Sequence, residues 1–141
     1  MRASIAPVNN DKGVPMDGFT MRRIDELPTT FHGAVKLAGD ELGVRSFGMQ
    51  VLDFPGGFGD YPAHDHAEDG QEEVYVVLDG SAEFEVGGER VDAAAGTMLR
   101  VEPETHRTLK AGPDGVRLLA IGSTLEGTYE RPDGFKVEGR A

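Results

Sequence analysis

The sequence contains no cysteine. That absence excludes a disulfide framework, a thiolate nucleophile and sulfur ligation of zinc. Any metal must therefore be held by histidine and carboxylate, and the chain has only four histidines. Basic residues are scarce as well: 14 Lys and Arg stand against 25 Asp and Glu, for a formal charge of -11. This balance repels phosphate backbones and anionic lipid surfaces over the Debye length, which speaks against nucleic acid and membranes as partners. It attracts cations only weakly and mainly favours solubility. No 18 apolar residues run together anywhere, and "MRASIAPVNNDKGVPMDG" at the start has no apolar core of signal-peptide length. A cytoplasmic protein is expected.

What the chain does have is turn chemistry. Its 20 glycines and 8 prolines make about a fifth of the 141 residues, above the roughly 12 % average, while 38 % hydrophobic content is too high for a disordered chain. One domain of this size buries roughly 68 to 70 % of its extended-chain surface.

Residues 1–18 are polar and broken by Pro7, Pro15 and Gly18, and read as a loose arm. Over 19–43 the apolar residues Ile24, Leu27, Phe31, Val35, Leu37 and Leu42 predict short helical segments interrupted at Pro28, with Gly43 as a stop. The pattern then changes to period two: Phe47, Met49 and Val51 share one face until Pro55-Gly56-Gly57. Further strands are expected over 73–78, 81–86, 97–101 and 116–121, separated by turns at Asp79-Gly80, Gly87-Gly88 and "AGPDG" (111–115). Short strands with regular turns predict an all-β sandwich or barrel over 44–122, followed by a tail over 123–141.

Two of the four histidines occur as His64-Asp65-His66. In an extended segment they project the same way, roughly 6 to 7 Å apart, a spacing at which two imidazoles bind one cation. A carboxylate from the next strand adds negative charge, and His106 is available as a third imidazole. Glu72 and Glu73 face opposite sides of their strand, so at most one is a ligand. The apolar face formed by Val74, Val76 and Leu78 would go with Glu72. Gln71 shares the face of Glu73 and is a candidate donor or substitute ligand. His32 stands alone in the helical segment and serves as the bland case. Arg100, Arg107 and Arg117 either meet an acidic substrate or lie on solvated strand faces, and Tyr61 and Tyr75 either line a pocket or pack.

Gly59, His64-Asp65-His66, Glu73 and Gly80 resemble the first cupin motif, G(X)5HXH(X)3-4E(X)6G, and Pro103 with His106 resembles the second, G(X)5PXG(X)2H(X)3N. The wording of "GQEEVYVVLDGSAEFEVGGERV" is similar to small single-domain cupins. The sequence departs from the pattern in three ways: four residues separate Gly59 from His64, six separate His66 from Glu73, and Glu104-Thr105 replace the glycine after Pro103. The resemblance implies a double-stranded β-helix, a jelly-roll-like barrel, over 44–122. It implies a divalent ion, iron, manganese, nickel or zinc, held by His64, His66, Glu73 and His106, with the six-residue spacing to Gly80 selecting Glu73. A dioxygenase acting on a small molecule is the leading function by family analogy. A metal-dependent isomerase and a non-catalytic ligand-binding or structural module are the alternatives. A homodimer is expected because small sheets expose edges that invite pairing.

Overall fold

The computed structural model describes residues 18–139; the arm expected over 1–18 lies, but for Gly18, outside the described residues. The segment expected to be helical is so only at its end. A single 3-10 turn at Ile24–Glu26 is followed by β1 (Thr29–Thr30) and β2 (Val35–Lys36), and only then by the five-residue α1 (Ala38–Leu42). Pro28 supplies the reason, since it disfavours helical backbone at the residue before it: Leu27 is extended, at φ -68° and ψ 144°. Thr29, Thr30 and Val35 are β-branched and suit strands. Phe31-His32-Gly33, all at positive φ, make the tight turn between β1 and β2, so His32 lies in a hairpin rather than a helix. Gly43 does end α1, in the left-handed conformation at φ 81°.

The hairpin has a structural use. β2 pairs antiparallel with β3 (Gly48–Phe54), with Val35 opposite Leu52, and so covers an edge of the main sheet. β3 in turn pairs with β7 (Arg107–Thr124), β7 with β4 (Gln71–Val86), and β4 with both β5 (Glu89–Ala94) and β6 (Met98–Val101). The strand pairs are antiparallel throughout.

Two expected turns prove to be bends. The Gly87-Gly88 turn does connect β4 to β5, but β4 runs on through Asp79-Gly80 and β7 runs on through 111–115. Val77 pairs with Leu118 and Asp79 with Arg117, so Leu78 is one extra residue, a bulge; next, Ser81 alone opposes the four residues 112–115. The two strands bend together at this point. Gly80, at φ 74°, sits so close to the backbone of Gly115 that a Cβ there would collide with the Gly115 carbonyl.

The bulge also switches parity along β4. Before it the buried residues are Gln71, Tyr75 and Val77, and after it Ala82 and Phe84. All of these but the polar Gln71 join Leu52, Phe54, Leu109 and Leu118 in the main core.

Candidate metal centre

Residues 58–66 run beside the start of β7. The Phe58 carbonyl accepts from the Ala111 N-H, the Tyr61 carbonyl accepts from the Thr108 hydroxyl, His64 and Arg107 exchange both backbone hydrogen bonds, and the His66 N-H donates to the Pro103 carbonyl. Pairing of this kind extends the segment, so His64 and His66 emerge on one side, toward Glu73 on the inward face of β4. One ligand atom from each of His64, His66 and Glu73 lies within 4.8 Å of the others. The imidazole centroids are 5.1 Å apart, with the rings nearly perpendicular at 83°.

The hydrogen bonds behind the rings fix their protons. His64 Nδ1 is 2.9 Å from the Pro62 carbonyl, which can only accept, so Nδ1 carries the hydrogen and Nε2 keeps its lone pair. His66 Nδ1 donates to both oxygens of Asp69, at 3.0 and 3.1 Å. Asp69 is held in turn by Gln71, whose backbone N-H and side-chain amide donate to it at 3.2 and 3.0 Å. The turn that returns Asp69 to His66 is closed by the Gly70 N-H bonding to the His66 carbonyl. Outer hydrogen bonds of this type set the tautomer and orientation of metal-binding histidines.

On the inner side, His66 Nε2 is buried without a hydrogen-bond partner, 3.4 Å from Glu73 Oε1. The same oxygen accepts from the Tyr75 hydroxyl at 2.8 Å and lies 3.3 Å from Arg107 Nη1. The Tyr75 and Tyr61 hydroxyls are 3.3 Å apart. The Glu73 carboxylate, helped by Asp69, raises the pKa of His66 above its ordinary value although burial opposes this. Burial pushes Glu73 up, but His66, Tyr75 and Arg107 together carry it below the usual carboxylate range. Burial raises Tyr61 to about 12, so its phenol stays neutral and is a hydrogen-bond donor rather than a base.

Of the four expected ligands the structure brings together three. His106 is exposed and lies just ahead of β7. The inward residue beside it is Arg107, 1 % exposed, because β7 buries Arg107, Leu109 and Ala111 on alternate positions. Glu72 points outward and pairs with Arg100. Gln71 is buried and acts behind the centre, through Asp69. Tyr61, Tyr75 and Arg107, read in the sequence with packing or solvated roles as alternatives, touch the centre or one another, and Asp69 was not singled out at all. Counting back from Leu109 in steps of two would have found Arg107; a turn at Gly70, three residues after Ala67, would have pointed to Asp69. Two bare Nε2 atoms, that of His66 buried and without a partner among the described residues, and a carboxylate fit a small divalent ion.

The family model described as Cupin domain matches residues 50–122. Among solved structures, a cupin protein from Bacteroides fragilis is similar at 22% identity and TM-score 0.64, covering 89% of this chain and 100% of that one. A sugar phosphate isomerase of the cupin superfamily from Silicibacter pomeroyi is similar at 17% identity and TM-score 0.56, covering 63% and 57%. The cupin domain of Schizosaccharomyces pombe Cnp3 is similar at 21% identity and TM-score 0.51, covering 56% of each chain. At such identities the likeness shows the fold alone. No curated protein matches the chain.

Proposed function

The chain belongs to the cupin family, and from that premise we propose that it is a metal-dependent cupin acting on a small molecule, with one divalent ion held by His64, His66 and Glu73. One observation carries the reading. Both histidines have Nδ1 tied to an acceptor and Nε2 left bare within reach of one carboxylate, an arrangement that neither packing nor solubility requires. His106 is left out of the ligand set because it is exposed.

Iron(II), manganese, nickel and zinc all suit two imidazoles and a carboxylate. When bound, a redox-active ion supplies open positions for a chelating substrate and dioxygen, and a redox-inert one polarises a carbonyl. The chain's own residues supply the rest. Asp69 and Pro62 hold the two rings in orientation. Tyr75 holds Glu73 by a hydrogen bond on Oε1. Phe54 stacks on Phe58 at 4.6 Å, and Tyr61 lies 5.8 Å from Phe54 and 5.7 Å from His64; these rings form an apolar wall that limits water on one side of the centre.

The test begins with elemental analysis of protein purified without a metal-affinity tag. Near-stoichiometric metal is expected in the native protein and loss of it in His66→Ala. Iron-loaded protein is expected to consume dioxygen with a chelating diketone, catechol-like or thiol substrate, and zinc-loaded protein not to. Full iron loading without uptake across such a panel replaces the dioxygenase with a binding module; absence of any metal affinity removes the whole reading.

The proposal includes a cytoplasmic homodimer. Among the described residues β5 pairs only with β4 and leaves its outer edge open, and Val91 on β5 and Met98 on β6 are exposed, which supports pairing with a second copy. Light scattering showing a monomer at micromolar concentration would remove the dimer.

A further inference from the structure

Arg107 is the largest side chain in the interior, 1 % exposed, and an arginine cannot shed its proton in a protein. Its Nη2 donates to the Glu102 carbonyl at 3.0 Å and its Nη1 stands 3.3 Å from Glu73 Oε1, yet Nε and Nη1 have no hydrogen-bond partner. Among the described residues two buried nitrogens, carrying three N-H donors between them, are thus left over. One of them lies beside the same carboxylate oxygen that the bare Nε2 of His66 approaches.

Charge makes the leftover donors meaningful. With the site free of metal, Glu73 balances Arg107. A divalent ion held by two neutral imidazoles and Glu73 adds two positive charges to the one Arg107 carries, and only one negative charge stands against them; Asp69, behind His66 and partly exposed, offsets one more at most. A water-poor site with net positive charge and unfilled donors is costly to leave uncompensated. From this we infer that the small molecule taken by the centre is a carboxylate, placed with one oxygen toward the metal position and the other accepting from Arg107. The inference rests on the metal reading and names the substrate class for it. A carboxylate fits better than a phosphate, because once Asp69 is counted a single negative charge balances the centre, and aromatic rings close the wall nearby.

Cobalt(II)-loaded protein tests this, since its visible absorption reports a ligand entering the coordination sphere independently of turnover. The probes are glycolate and its neutral counterpart glycolamide. Glycolate is expected to perturb the cobalt bands with at least about ten-fold higher affinity than glycolamide. Arg107→Gln is expected to erase that preference while still taking up cobalt, and Arg107→Lys to restore part of it. Equal affinities for the two probes in the native protein overturn the inference, as does undiminished glycolate preference in cobalt-loaded Arg107→Gln. The native-protein comparison keeps the test decisive even if the glutamine variant does not fold. Failure to bind cobalt in the native protein is separately visible as absence of the bands, and it overturns the metal reading and the carboxylate pose together.

Discussion

Two arginines on β7, ten residues apart, sit among carboxylates in opposite ways. Arg117 lies at the surface, its side chain 30 % exposed, and is firmly paired: Nε and Nη2 donate to Asp53 at 2.8 and 2.9 Å, and Nη2 also donates to Asp25 at 2.6 Å. Arg107 is interior, and among the described residues its Nε and Nη1 have no hydrogen-bond partner although burial makes an empty donor expensive. The Arg107 end of the barrel gathers Glu73, His66, Tyr75 and Tyr61 and still leaves nitrogens without partners. Arg22 and Arg131 each keep a buried nitrogen without a partner as well, so what distinguishes Arg107 is that its open Nη1 stands against the carboxylate that His64 and His66 approach.

The comparison breaks most sharply at the ligands. Replacing His64 or His66 by Ala is expected to weaken metal binding by roughly 100-fold or more, since removing a ligand must exceed the 10- to 100-fold typical of outer-shell changes. His32→Ala and Arg117→Met are expected to leave the metal isotherm unchanged. Equal loss in all four proteins would mean that metal uptake reports folding rather than ligation.

Next comes the cost of deleting each arginine in metal-free protein. Arg107→Met leaves Glu73 in the interior with only Tyr75 and His66 as partners, and uncovering one member of a buried pair is strongly destabilising, here about 2 to 4 kcal/mol. Arg117→Met removes a largely exposed pair and is expected to cost about 1 kcal/mol or less. Denaturant midpoints compared at constant slope check the ordering; a larger loss at Arg117 would reverse the assignment of interior and surface roles.

A finer break separates Asp69 from the ligands it supports. Asp69→Asn keeps an acceptor for His66 Nδ1 but removes the charge and, with it, part of the hold on Gln71. Metal affinity is expected to fall about ten-fold, less than for His66→Ala. No change would mean that the Asp69 contact is incidental to ligation.

The legibility of these features in the sequence followed how local their causes are. Period two in 47–54 and His64-Asp65-His66 was readable because alternation needs only neighbouring residues. The bend at Gly80 was misread as a hairpin turn because the same residues serve both purposes, and what distinguishes them is Gly115, 35 positions away. That bulge also explains why the apolar pattern on β4 spoke for Glu72 while the spacing to Gly80 selected Glu73: Val74, Val76 and Leu78 look like a core stripe, but Leu78 is the extra residue, and the buried face before it is Gln71, Tyr75 and Val77. The grouping of His64 and His66 with Glu73 was legible from spacing, whereas the exposure of His106 and the burial of Arg107 beside it depend on the register of β7 and were not. The long spacing between His66 and Glu73, read as a departure from the family pattern, turned out to form the turn that carries Asp69 back to His66.

The smallest expected effect lies in the pH dependence of metal-free protein, and it distinguishes the two arginine neighbourhoods once more. His66 has its pKa raised in the folded state above its ordinary 6.5, so the stability it contributes is complete below about that pH and is lost as pH rises through the folded value. Glu73 has its pKa lowered below its ordinary 4.5, so its contribution is complete above that pH and is lost as pH falls through the folded value. The native protein without metal is therefore expected to be most stable between about pH 4.5 and 6.5, with a decline above neutrality of about 1 kcal/mol or less, because solvent near Asp69 screens the interaction. Near Arg117 only Asp25 titrates with a lowered pKa, and only on the acid side. Its replacement, Asp25→Asn, should leave the neutral decline intact, whereas Glu73→Gln should abolish it. Divalent metal should abolish it too, since ligation takes the lone pair of His66 Nε2 and releases the proton that confers the advantage at low pH. Thermal midpoints measured from pH 4 to 8, with and without zinc, check both statements. A neutral decline that survives Glu73→Gln would show that it does not originate in the His66–Glu73 pair.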